Sequence, residues 1–242
     1  MMIMLRRLAF GRLAFIWALP LLLSGCLLVP GKFVSDLTIN ADRSFSFAYK
    51  GQVIASDPSE NMSPDEPLKA DATPEEKAAA AEKAREKVTK AKEREEKNRA
   101  IAAALTKEYG YRSVVYRGNG LFDVDYAVKG TLTTNFTYPF NTDAEVMMPF
   151  IAIEVRKDGT VRVRAPGFGM APGQGGPAGG AMPMMNDPSD KAEGTFTLTT
   201  NAEIVAQNQE DGAKTVGTNK VIVWTVGKIK KDAPSAVLRM KP

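Results

Sequence analysis

The chain contains no histidine and a single cysteine among its 242 residues. Without imidazole it lacks the usual general base and the commonest transition-metal ligand. Without a second thiol no disulfide can close within the chain, so stability has to come from packing. No GxxxxGK stretch is present to cradle phosphates, and no GxSxG elbow presents a serine nucleophile. An enzyme built on this chain would have to use carboxylates, lysines, serines or tyrosines in no recognisable pattern. The expectation is therefore a non-enzymatic protein with no cofactor.

What is present begins with the place of that one thiol. Cys26 closes the stretch RRLAFGRLAFIWALPLLLSGC. Arg6, Arg7 and Arg12 precede an apolar run from Leu13 to Leu23, and the small residues Ser24 and Gly25 end it, the layout of a secretory signal. The run is about half the ~20 residues that a membrane-spanning helix needs, and Pro20 interrupts it. The Arg6-Arg7 pair also opens a twin-arginine pattern, but Leu8-Ala9-Phe10 fit that pattern poorly.

Leu23-Ser24-Gly25-Cys26 resembles the lipobox of bacterial lipoproteins, in which the thiol takes a diacylglyceryl group and the chain is cut just before it. The resemblance implies a signal peptide over residues 1–25, an acylated Cys26 as the first mature residue, and the membrane as a partner through it. Two or more acyl chains anchor stably where one is marginal. Leu27, in place of an aspartate, implies outer-membrane sorting facing the periplasm by analogy with Gram-negative lipoproteins. Loss of the leader also resets the charge: of 32 basic and 28 acidic residues it removes three arginines, leaving 29 against 28, or +1. That balance lacks the basic excess needed for phosphate backbones, so nucleic acid is not expected as a partner.

Residues 26–32 are expected to tether the domain by no more than about 25 Å. From Phe33 the side chains alternate. Phe33, Ser35, Leu37 and Ile39, then Phe45, Phe47 and Tyr49, make one face of a hairpin around Asn-Ala-Asp-Arg. Residues 55–110 read as an insertion: a polar linker rich in Pro, Asp and Ser, expected to be disordered, then a charged helix over 73–110. Thr73-Pro74-Glu75-Glu76 supplies an N-cap hydroxyl, proline at the first helical position and the capping-box glutamate, and Gly110 supplies the stop. The pairs Glu82/Arg85, Glu86/Lys90, Glu93/Lys97 and Glu95/Arg99 have helical spacing. Few apolar side chains precede Ile101 and Leu105, so the outer half is expected to be solvated and the last turns to pack on the sheet; a partner-binding arm is the competing reading.

Alternation returns after Tyr111, with Phe122, Val124, Tyr126, Val128 and Leu132 on one face. Asp123 and Asp125, on the other, are expected simply to meet water. FIAIEVRKDGTVRVRAPG is a hairpin whose register can be deduced: a three-residue loop with a left-handed Gly159 opposes Val155 to Val161, Ile153 to Val163 and Glu154 to Arg162, and keeps one apolar face. Strands are further expected over Thr195–Ala206, Lys220–Val226 and Ala236–Met240, with Trp224 in the core. FTYPFNTDAEVMMPF reads as a bent connection packed by aromatics. Residues 165–190 read as a flexible Gly/Pro/Met-rich loop. Its methionines, Met170, Met182, Met184 and Met185, are soft donors that suit Cu(I) or a greasy contact; the plain loop is the preferred reading, with no metal.

The cysteine followed by LTINADRSFSFAYKG, together with the late VGTNKVIVWTV, resembles the LppM-type lipoproteins, envelope proteins with an α/β domain. That resemblance implies envelope location and lipid contact, with no catalytic residues. The fold expected is α+β: a mostly antiparallel sheet of about seven to nine strands, formed by residues 33–54 and 111–242 as one domain, with the long charged helix inserted. The function expected is that of a lipid-anchored binding or scaffolding module with another envelope protein as partner. The alternative is a carrier of an apolar ligand, which requires a cavity.

Overall fold

The computed structural model describes residues 27–56, 73–139, 149–169, 191–227 and 232–241. Its first elements are the hairpin that the alternation predicts. Strands β1 (Leu27–Ile39) and β2 (Ser44–Ser56) pair antiparallel from Leu27↔Ser56 to Ile39↔Phe45. Phe33, Ser35, Leu37, Ile39, Phe47 and Tyr49 all point inward and are buried. The strand begins at Leu27 rather than Phe33, so residues 27–32 of the expected 26–32 tether belong to β1. Pro30-Gly31, which reads as a break, is absorbed as an irregularity in the ladder between Pro30 and Phe33. Proline is tolerated there because the second ladder of β1 starts only at Lys32. Opposite, Gly51 leaves the room required, since a Cβ on it would lie 2.4 Å from the Lys32 carbonyl oxygen.

Among the described residues the chain forms twelve strands in two sheets, where about seven to nine strands in one sheet were expected. After the first hairpin come β3 (Tyr111–Gly118), β4 (Leu121–Thr131), β5 (Phe136–Tyr138), β6 (Ile151–Val155) and β7 (Thr160–Arg164). They are followed by β8 (Glu193–Thr200), β9 (Glu203–Gln207), β10 (Lys214–Val216), β11 (Asn219–Val226) and β12 (Ser235–Arg239). The larger sheet has the order β10-β11-β8-β1-β2-β4-β3 and the smaller one β5-β6-β7-β12-β9. Every pairing is antiparallel except β1 with β8. The hairpin β6–β7 has the deduced register, Val155↔Val161 and Ile153↔Val163, with Gly159 at φ 79. Glu154 lies opposite Arg162, yet its carboxylate turns to Arg164 and Arg156.

The expected single strand Thr195–Ala206 is in fact β8 and β9, one in each sheet. The chain changes layer at Asn201-Ala202, where the Asn201 Oδ1 accepts the Ala41 N–H at 2.7 Å and the Thr200 Oγ1 accepts the Ala202 N–H at 3.0 Å. Rings from both sheets meet between the layers: Tyr138 of β5 lies 5.2 Å from Phe47 and 5.3 Å from Tyr49 of β2. The expected 165–190 loop is ordered structure at its start, and residues 170–190 lie outside the described residues. Pro166–Phe168 is a 3-10 turn, and Phe168 is buried against Phe33 at 4.2 Å and Phe196 at 5.6 Å.

The inserted helix, α1 (Pro74–Leu105), has the capping box in full. The Thr73 hydroxyl accepts the Glu76 N–H, and the Glu76 carboxylate accepts the Thr73 N–H at 2.7 Å. It ends five residues before Gly110, which instead sits at φ 93 in the turn that leads into β3. Its inner side docks beside β3 through Asn98 and Ala102, both buried, while residues 73–79 and 81–90 are exposed. The solvated outer half and packed last turns match the sequence reading.

Candidate functional site

The first residue of β1, Leu27, lies at one end of the larger sheet. Leu27 pairs with Ser56, Ile54 pairs with Leu121, and the Ala55 N–H donates to the Gly120 carbonyl at 2.8 Å. This pole therefore consists of the start of β1, the end of β2 and the β3–β4 turn. The turn is tight: Gly118, Asn119 and Gly120 all have positive φ, at 95, 51 and 74. Glycine is required at 120, where a Cβ would stand 2.4 Å from the Ala55 carbonyl oxygen.

At the same pole α1 is locked to the sheet. The Glu95 carboxylate accepts the Tyr116 hydroxyl at 2.7 Å and the Asn119 N–H at 2.9 Å. The Tyr116 oxygen in turn accepts the Gly120 N–H at 3.0 Å and the Asn98 amide at 3.3 Å. The Tyr116 hydrogen bond holds the Glu95 carboxyl below its ordinary value against the opposing effect of burial, with smaller help from Asn119, Arg99 and Arg94. Glu95, read from sequence as the partner of Arg99, is thus the residue that clamps the helix to the turn. Sequence reasoning missed it because the helix spacing offered a sufficient local partner.

The other candidate residues are dispersed. Asp123 and Asp125 lie on the outward face of β4, where Asp123 meets Arg117 at 2.6 Å and Asp125 lies 3.9 Å from Arg112. They bond to arginines as well as facing water. Among the described residues no three of His, Cys, Asp and Glu group to hold a metal ion. Leu23, Ser24, Gly25 and Cys26, and Met170, Met182, Met184 and Met185, lie outside the described residues.

Between the sheets, Phe33, Tyr49, Tyr138, Phe150, Phe168 and Phe196 are buried, with neighbouring ring centroids 4.2 to 6.5 Å apart. Burial raises the phenols of Tyr49 and Tyr138, and pushes Tyr111 up to about 12, with Tyr126 and Glu108 adding to the effect. These tyrosines stay protonated and serve as packing and as donors; the Tyr49 hydroxyl gives its hydrogen to the Gln52 carbonyl at 2.7 Å. Trp224 is likewise core, with its indole N–H donating to Asn208 Oδ1 at 3.0 Å.

No protein-family model matches this chain, and no curated protein matches its sequence. Among solved structures, the folded domain of LppM from Mycobacterium tuberculosis, determined by NMR, aligns over 89% of this chain and 93% of that one. The identity is 15% and the TM-score 0.32. At that score the likeness is loose. Among the described residues no helix is long and apolar enough to cross a membrane.

Proposed function

We propose that the protein is an exported, lipid-anchored lipoprotein of the cell envelope that acts as a non-enzymatic binding or scaffolding module. The observation that carries the reading is the position of the sole cysteine. It follows a signal-type leader and Leu-Ser-Gly, and it lies one residue ahead of the first strand. Acylation there holds the domain against the membrane with no stalk. The rings packed between the sheets favour a role for the outer surfaces over carriage of an apolar ligand within. The leucine that follows the cysteine favours the outer membrane, facing the periplasm, in a Gram-negative source.

Intact-mass analysis of protein extracted from its native membrane tests the anchor. The expected result is a chain beginning at Cys26 and carrying acyl groups, with Cys26→Ser moving the protein to the soluble fraction. A bare thiol with the leader still attached overturns it. Chemical crosslinking in intact envelopes then tests the module: a reproducible neighbour is expected, and co-purification of a stoichiometric lipid or other apolar molecule would favour the carrier instead.

A further inference from the structure

Helix and anchor share a pole, and this constrains how the domain meets the membrane. Two fixed points set the direction of α1. Glu95 bonds to the β3–β4 turn at Asn119, and past the end of the helix the Gly110 carbonyl accepts the N–H of Ala127 in β4. Between these points the helix from Glu95 to Thr106 rises about 16 Å, and β4 from Gly120 to Ala127 advances about 23 Å. The two run side by side in the same direction. Residues 74–94 therefore continue past the turn for about 30 Å, on the side of the sheet where β1 begins and Cys26 is one peptide bond away.

Resting on the lipid-anchor reading above, we propose that residues 74–94 of α1 lie along an anionic membrane surface, so that the domain rests on its side instead of standing on its anchor. An upright domain would drive this segment, with seven basic and five acidic side chains, into hydrocarbon that expels charge. No slack is available to lift it, because β1 is already paired at Leu27. The charge distribution suits the surface as well. At 100° per residue, Lys83, Lys87, Lys90, Arg94 and Lys97 fall on one stripe of the helix, beside the docked side that carries Asn98 and Ala102. Of the acids, Glu76 falls on the stripe, where the Thr73 N–H of the capping box engages its carboxylate, and Glu86 lies at the margin and pairs with Lys90 at 2.7 Å. Juxtamembrane lysines and arginines are drawn to anionic headgroups within a Debye length.

The acylated full-length protein tests this, because a new cysteine is then its only reactive thiol. A fluorophore on Ala79→Cys reports the arm, and one on Thr215→Cys reports β10, the edge of the larger sheet farthest from β3, on which α1 docks. The protein is placed on phosphatidylglycerol–phosphatidylcholine vesicles carrying a headgroup quencher. Quenching is expected at position 79 and not at 215, and it is expected to fade in high salt. Combining Lys83→Gln, Lys87→Gln and Lys90→Gln should weaken the surface-bound state about fivefold for each charge removed. Equal accessibility of the two labels on protein shown by mass to be acylated overturns the proposal and leaves the anchor standing. Quenching that ignores both salt and the three substitutions also overturns it. A mass showing Cys26 unmodified removes the anchor itself, and the orientation with it.

Discussion

The interior between the sheets and the outer part of α1 are held by opposite means. In the interior, residues distant in sequence are fixed by one another: Phe33 of β1, Phe168 of the 3-10 turn and Phe196 of β8 touch across more than a hundred positions. In the arm, each residue is fixed by those within four positions, through the capping box at Thr73 and ion pairs such as Glu86–Lys90. An isolated helix is marginal in water, whereas a packed interior is cooperative. Change should therefore be felt globally in the first region and locally in the second.

The largest expected effect is on Phe196→Ala, which should cost about 3–5 kcal/mol in chemical denaturation. A loss below about 1 kcal/mol would show that the rings are not the common support. Gly194→Ala should cost about 1–3 kcal/mol through overpacking, because its Cβ would fall 2.0 Å from the Phe33 carbonyl oxygen. Thr73→Ala should cost the arm about 1 kcal/mol. The cost should be seen as faster amide exchange in the first turns of α1 with an unchanged global midpoint. A shift of that midpoint would mean that the arm and the interior unfold as one.

A weaker handle is pH at the junction of the two regions. The Glu95 carboxyl is held below its ordinary value, so its contribution is fully present above that ordinary value and is lost as pH falls through the depressed one. The protection of the Asn119 amide against exchange, relative to its intrinsic rate at each pH, should fall on acidification because this amide donates to Glu95, and Glu95→Gln should abolish that dependence. The smallest effect is expected at Val88, 57% exposed, where Val88→Ala should change stability by less than about 0.5 kcal/mol.

The same contrast decides what could be read from the sequence. The capping box and the β6–β7 register were legible because each is settled within a few residues; a slip of one position would have turned Ile153 and Val155 outward. The division into two sheets was not. Phe196, Leu198, Thr200, Ala202, Ile204 and Ala206 keep the period of two unbroken through the point where the chain changes layer. Alternation reports which side of a strand is inward and is silent on which neighbour it pairs with. Phe168 was hidden for a related reason, since Gly-Pro composition marks a loop whether or not one of its rings reaches the interior. At the pole where β1 begins, the sequence indicated a hairpin and a strong helix separately. Their meeting at one end of the sheet depends on the Glu95 clamp, a contact that bridges 24 positions.

β1 is an internal strand, with β2 on one side and β8 on the other along Lys32–Ile39. Backbone hydrogen bonds in a sheet lie across the strand direction, so tension applied at Leu27 loads both ladders together in shear. Pulling the molecule between residues 27 and 241 should give a single high-force rupture; a staircase of small ones would show strands unzipping in turn. Drag on the domain is thereby shared by the middle of the larger sheet, a mechanical grip that an edge strand could not give.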